Sequence, residues 1–345
     1  MLTCPVCGQD HIRDARSLIS ERGMIFSPCP ECRGITRNKS LPPDDAVPFD
    51  CGCGKVFIDD VYFHLYHLLL DAGLFTGKEP LTCVGTPLID PGVFLRTPPY
   101  LPPRSLLLIS SAFDSETAQR AYHMIPQISG ILSDQGAAPG IGDLQDLSGP
   151  ICSEHILLCG CDVRSDLFPT SKGPVIVYKK QGSAHIEFPH GINPKIRSVE
   201  AAIRKAHPLL FVDACSGSGT LGLVGARLGV QHTIMNDPWY AAAFFSGFNL
   251  LVNKEILGLA ECRLHTDYSR IAGEPVRMDP ILVAEGYGSG YRAEVYQGTM
   301  HRLPPYITGE RVLTVFDPFD KPGFLQNQSF FSFWHQTVGG EVFIP

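Results

Sequence analysis

Apolar and polar positions change rhythm along the chain, and the change marks where regular structure begins. From about residue 195 onward, short apolar runs alternate with segments of helical period. An amphipathic stretch over 198–207 is followed by the apolar run 209–214, a glycine-rich turn and a helical segment over 221–228. The pattern continues with a strand-like 233–235, a long apolar helix over 241–253, strands at 293–296 and 312–316, a helical segment over 326–336 and a strand at 341–344. Alternation of this kind predicts βαβ units and a parallel sheet covered on both faces. Upstream the rhythm is less even. A helix is expected over 59–73, with acids at its start and Gly73 just past its end. A buried strand over 105–110, a helix over 114–135 and strands at 155–161 and 175–179 follow. Breaks rich in proline and glycine at 41–45, 98–103 and 136–150 separate these pieces.

With 345 residues the chain is long enough for two or three domains. The pattern divides it into a module over 1–58, a middle α/β domain over 59–187 that could lend strands to the following sheet, and a C-terminal domain over 188–345. The 28 Lys and Arg against 35 Asp and Glu give a net charge of −7. Residues 1–60, 61–200 and 201–345 are each mildly acidic, which excludes binding of nucleic acid by bulk positive charge and makes DNA an unexpected partner. No run approaches the ~18–20 apolar residues of a membrane helix. Met1-Leu2-Thr3-Cys4-Pro5 lacks the charged and apolar regions of a secretion signal. A cytoplasmic protein is expected, with no membrane partner.

The sharpest chemical signal is Phe211-Val212-Asp213-Ala214-Cys215-Ser216-Gly217-Ser218-Gly219-Thr220. An acid closes a buried strand, and two glycines shape the turn before a helix. Glycines there let the backbone fold tightly and a ligand approach without a Cβ in the way, while the amides of the helix start face the ligand. Asp213 would repel a pyrophosphate, so a cationic amino-acid moiety suits the turn better. One β-unit on, Met235-Asn236-Asp237 closes the next strand, where a carboxylate is placed to accept both hydroxyls of a ribose.

These residues resemble the class I S-adenosylmethionine-dependent methyltransferases. Asp213, Gly217 and Gly219 match that family's first motif, with Ala214 beside the cofactor, and Asp237 matches its ribose-binding acid. Phe316-Asp317-Pro318-Phe319 matches the Asp/Asn-Pro-Pro/Phe-aromatic motif after the fourth strand. The resemblance covers about residues 188–345. It implies a Rossmann-like sheet, S-adenosylmethionine as cofactor and transfer of a methyl group to a nitrogen. Asp317 and the carbonyl of Pro318 would orient the acceptor, and Phe319 would stack on it. Two stretches compete for the family's third strand. Val295-Tyr296-Gln297-Gly298-Thr299 puts Gly298 and Thr299 against the cofactor, with Thr299 where an acid is usual; Cys262-Arg263-Leu264-His265-Thr266-Asp267 puts Asp267 there. Asn193 and Arg197 either touch cofactor or acceptor, or cap a helix. Asp-Pro-Phe is similar to the motif of archaeal and eukaryotic tRNA guanine N2-dimethyltransferases, although Asp320-Lys321-Pro322 follows instead of their Gly-Ser-Pro.

Half of the 12 cysteines fall in the first 53 residues. In a reducing compartment such clustering points to metal rather than disulfides. Cys4-Pro5-Val6-Cys7 and Cys29-Pro30-Glu31-Cys32 form two C-x2-C knuckles, the spacing with which paired thiolates meet one tetrahedral zinc. One structural zinc held by Cys4, Cys7, Cys29 and Cys32 is expected. Cys51 and Cys53 either swap into that ribbon, pair with His64 and His67 as a second site, or form a turn. The zinc module and the middle domain suggest a macromolecular acceptor. The acidic balance favours a protein side chain, which is the expected acceptor, and the Asp-Pro-Phe resemblance favours the alternative, a tRNA base. A non-catalytic zinc-containing binding or assembly factor is the reading from a different class.

Overall fold

The computed structural model describes residues 2–345 apart from 135, 137–138, 142–151 and 319; at 140–141 and 152–153 only the backbone is described. The chain forms two compact units. One comprises residues 20–164 and 180–188, and the other 1–19, 165–179 and 189–345. Their bounds differ from three consecutive domains, because the N-terminal stretch and a short excursion at 165–179 both belong with the C-terminal part.

In the first unit, among the described residues, a four-stranded sheet has the order Thr86–Ile89, Leu106–Ser110, Ile128–Ser133, Ile156–Gly160. Its two central strands are parallel and are joined by the helix Ser115–Met124, which Asp114 caps by accepting from the Thr117 amide at 2.7 Å. The helix expected over 114–135 therefore stops early. Pro126 cannot continue it, and the residues beyond form the strand Ile128–Ser133, whose Ile128, Ile131 and Leu132 are fully buried. Helix Ile58–Asp71 covers the sheet with Val61, Leu65 and Leu69, also fully buried. Its first-turn acids hold the preceding segment. Asp59 accepts from the Arg37 amide at 3.0 Å and pairs with Lys39 at 2.7 Å.

In the second unit, seven strands among the described residues form one sheet. They are β1 (Leu210–Asp213), β2 (His232–Asp237), β3 (Leu259–Leu264), β4 (Ile281–Gly288), β5 (Tyr291–Gln297), β6 (Val312–Val315) and β7 (Glu341–Phe343). The spatial order is β3-β4-β5-β2-β1-β6-β7. The five strands β5-β2-β1-β6-β7 are all parallel, and β3 and β4 extend the sheet as antiparallel strands. The longer helices of the unit include α1 (Pro194–Ala206), α2 (Thr220–Arg227), α3 (Tyr240–Val252) and α4 (Gln328–Thr337). The parallel core has the strand order of a Rossmann-like sheet. Its order reverses at β1, which opens a crevice beyond the carboxyl ends of β1 and β6.

Strands from the middle of the chain do not complete this sheet. Among the described residues, Val163–Phe168 and Val175–Lys180 pair only with each other; the sheet's extra strands come from the 259–288 hairpin, of which only the rival third strand at 262–267 had been expected. The outer strand β3 carries an exposed Glu261–Arg263 ion pair at 2.6 Å, the kind of charge that protects a free edge. The excursion at 165–179 docks on α3 through side chains. Asn249 exchanges two hydrogen bonds with the backbone of Tyr178, both at 2.7 Å, and Asn253 does the same with Ile176 at 2.9 and 2.6 Å. Two asparagines four residues apart thus stand in for an adjacent strand.

Candidate functional site

The close packing of α2 on β1 and β2 sets the geometry of the glycine turn. A Cβ on Gly222 would lie 2.2 Å from the Met235 side chain, and one on Gly225 would lie 2.5 Å from the Phe211 ring. Only glycine lets the helix approach this closely. Gly217 and Gly219 have φ of +52° and +89°, in the left-handed region. Nothing lies within 4 Å of where a Gly217 Cβ would be, so the turn faces an open cradle.

Three carboxylates gather at this end of the sheet. Asp213, at the end of β1, is 1% exposed. One of its oxygens accepts from the Gly222 amide at 2.8 Å, and the other is buried with no hydrogen-bond partner. Burial pushes its carboxyl up to about 8, with the Asp317 and Asp237 charges adding to the rise. Asp237, at the end of β2, accepts from the Gly217 amide at 3.0 Å and the Trp239 amide at 2.9 Å. It therefore tethers the glycine turn directly, and burial lifts its carboxyl to about 6. Asp317, just beyond β6, is clasped by Lys195 at 2.6 Å and Lys321 at 2.8 Å. Neither lysine was given a role in the sequence expectations.

Buried amides brace the cradle. Asn236 bridges the Ala214 and Gly298 carbonyls at 3.3 and 2.8 Å, joining the ends of β1 and β5. Ser246 donates to the Gly217 carbonyl at 2.8 Å, and Asn249 donates to the Ser218 carbonyl at 2.9 Å. Sequence reading missed Ser246 and Asn249. Their signal was the presence of polar residues in an otherwise apolar helix.

The competing third strands resolve by direction. β5 lies parallel beside β2, so Gly298 and Thr299 follow the third parallel strand. Thr299 is inside the structure, its hydroxyl donating to the Met278 carbonyl at 3.1 Å. The stretch 262–267 includes the end of the antiparallel β3, and Asp267 is an exposed cap accepting from the Arg270 amide at 2.8 Å. Asn193 caps α1 through the Lys195 and Ile196 amides, and Arg197 is exposed. Burial drives the Cys215 thiol well above its usual value, which argues against a nucleophilic thiolate. Phe319 lies outside the described residues.

The cysteines group differently from the expected single site. Cys29, Cys32, Cys51 and Cys53 come together, whereas Cys4 and Cys7 gather with His11. Within the four-thiol set, five of the six Sγ pairs are 3.2 to 3.7 Å apart. That is close to the ~3.8 Å edge of a tetrahedron with Zn–S bonds of about 2.3 Å and far beyond a disulfide bond of ~2.05 Å. Gly52 and Gly54, with φ of +72° and +82°, form the third and tightest knuckle. Cys51 and Cys53 thus complete the ribbon, and His64 and His67 are not among its candidate ligands. Four thiolates leave no open position, which fits a structural ion. The Cys29→Ser/Cys32→Ser variant is expected to lose this zinc and to open the 29–53 segment to proteolysis, read by limited digestion against wild type.

No family model matches the chain, and no curated protein matches it. Solved structures do match. Trm1 from Pyrococcus horikoshii, solved with S-adenosyl-L-methionine, is 14% identical over 52% of this chain and 42% of its own, with a TM-score of 0.34. TYW2 from P. horikoshii, in complex with MeSAdo, is 16% identical over 56% of this chain and 60% of its own, at 0.31. aTrm5, solved with tRNALeu, is 16% identical over 58% of this chain and 50% of its own, at 0.30. The match covers less than two thirds of the length of each. Independently of them, the strand order and the glycine turn after β1 define the fold of the C-terminal unit.

Proposed function

We propose that the protein methylates a nitrogen of an RNA base, using S-adenosylmethionine. The observation that carries the methyltransferase reading is the convergence of Asp213, Asp237 and Asp317 around an open glycine cradle at the switch point of the sheet. Asp213 keeps a buried oxygen without a partner, a vacancy suited to a cationic ligand or to one that brings hydrogen-bond donors. Bound there, the cofactor supplies an electrophilic methyl on a sulfonium. Asp237 takes the ribose hydroxyls while keeping its hold on the Gly217 amide. Asp213 acts through the Gly222 amide and its own negative field. Gly298 and Thr299 line the adenine side.

Asp317 and the Pro318 carbonyl accept from the acceptor amine. They hold it in line with the methyl, which is catalysis by positioning and electrostatics. Asp317 is also the base at hand for the proton that the methylated nitrogen sheds. The acceptor class turns on local charge. Overall acidity favours a protein, but at the crevice Lys195 and Lys321 flank Asp317, with side chains 42% and 31% exposed. Two half-exposed ammonium groups beside the acceptor carboxylate suit a planar amine flanked by phosphates, in keeping with the Asp-Pro-Phe resemblance.

Tritium-labelled S-adenosylmethionine incubated with the protein and cell extract tests this directly. Label removed by nuclease and retained after protease is expected. Label removed by protease points to a protein acceptor, and no transfer at all returns the chain to a binding factor. The Lys195→Gln/Lys321→Gln variant should raise the KM for the RNA acceptor by about tenfold. Its salt dependence should flatten by a log–log slope of about 0.7–0.9 per lost phosphate contact. An unchanged slope would remove the lysines from acceptor binding.

A further inference from the structure

The first 19 residues belong to the C-terminal unit, yet they bring little apolar surface to it. Ile12, Ala15 and Leu18 are buried there, too few to fix a segment of this length by packing alone. The segment is nonetheless tightly built. Cys4 is 2% exposed. Its carbonyl accepts from the Gly8 amide, its amide donates to the Gln9 carbonyl, both at 2.9 Å, and Gly8 has a φ of +73°. This knuckle turns Cys7 toward His11, with Sγ and Nε2 3.3 Å apart. The ligand atoms of Cys4, Cys7 and His11 all lie within 4.8 Å of one another.

We infer that Cys4, Cys7 and His11 bind a second zinc ion, separate from the four-thiol site. Two thiolates and an imidazole from a C-x2-C-x3-H spacing supply three positions of a tetrahedral ion, and the S···N edge is close to the ~3.6 Å that Zn–S and Zn–N bonds of about 2.3 and 2.0–2.1 Å require. The ion would clamp the segment where it meets the 165–179 excursion. The Arg13 amide donates to the Tyr178 hydroxyl at 2.9 Å, and that hydroxyl donates to the Arg13 carbonyl at 3.2 Å. Tyr178 is in turn held by Asn249, which also holds the Ser218 carbonyl of the glycine turn. The second zinc therefore acts as a positioning element, linked to the cradle through Arg13, Tyr178 and Asn249.

Elemental analysis of the purified full chain should give two zinc ions per chain. The Cys29→Ser/Cys32→Ser variant should retain one, and Cys7→Ala should also retain one. Should Cys7→Ala fail to fold, cobalt substitution of the wild type still decides the matter. A second equivalent with ligand-field bands at higher energy than an all-thiolate site is the signature of imidazole in the set. One zinc in the wild type that vanishes entirely with Cys29→Ser/Cys32→Ser, or cobalt bands of a single all-thiolate site, overturns the inference.

Discussion

Replacing Asp213 with Asn is expected to weaken cofactor binding at least a hundredfold while making the ligand-free protein more stable at pH 8. Both effects come from one carboxylate. In the folded state its burial beside Asp237 and Asp317 raises it to about 8, against 3.8 for the unperturbed group. Between those values the folded chain holds a proton that the unfolded chain has released. The contribution of this carboxylate to stability is therefore greatest below about pH 4, falls as pH rises toward 8, and levels off above it. A shift of this size corresponds to about 1.4 kcal/mol per unit, and relaxation around the ionised group brings the realised cost down to roughly 2–4 kcal/mol at pH 8. Asparagine keeps an oxygen for the Gly222 amide and carries no charge to bury. Its melting temperature should exceed that of wild type at pH 8, and the two curves should converge near pH 4–5. A wild-type melting temperature that stays flat across this range would show that the ionised form is not penalised. In wild type the affinity for cationic S-adenosylmethionine should tighten as pH rises through about 8, because the cation favours the ionised carboxylate. Calorimetry in buffers of different ionisation enthalpy would show the released proton.

The Asn249→Ala variant should lose stability and cofactor affinity together. Asn249 is fully buried and satisfies the amide and carbonyl of Tyr178 as well as the carbonyl of Ser218. Truncation strands three backbone groups, each costing about 1–3 kcal/mol when left unpaired, so a loss of roughly 3–5 kcal/mol is expected. Denaturant unfolding reads the stability, and hydrogen exchange at Ser218 and Gly219 reads the loosened turn. Asn249→Asp separates the two roles. It keeps the acceptor for the Tyr178 amide and loses both donations, so the turn should loosen further than the docking of the 165–179 excursion. Exchange at Ser218 no faster than in wild type would show that the turn is held without this side chain.

Both variants bear on how far function could be read ahead of structure. Asp213, Gly217, Gly219, Asp237 and Asp317 were visible because each falls at a strand end or turn, where periodicity breaks and a residue type is diagnostic. Asn249 was hidden inside α3, since an apolar helix with a few amides reads simply as a buried helix. The 259–288 hairpin was legible only in part, as the rival strand at 262–267, for another reason. β3 alternates imperfectly and sits at the sheet edge, where one face is solvated and the pattern is weak. The helix expected over 114–135 ran past Pro126 because helical and strand periods are hard to separate in a short apolar stretch.

The amino-acid pattern alone determined that a parallel α/β sheet with a glycine turn and strand-end acids occupies the C-terminal part, and that the early cysteines form metal-ligand knuckles. Local spacing suffices for such features, because each depends on residues within a few positions of one another. Only the tertiary structure decided which knuckles share an ion, that Asp317 lies between two lysines, that β5 and not β3 borders β2, and that residues 1–19 belong with the far end of the chain. Each of these joins residues distant in sequence. Nothing local encodes such a pairing: it follows from the packing that buries the sheet and from the need to give every buried polar group a partner.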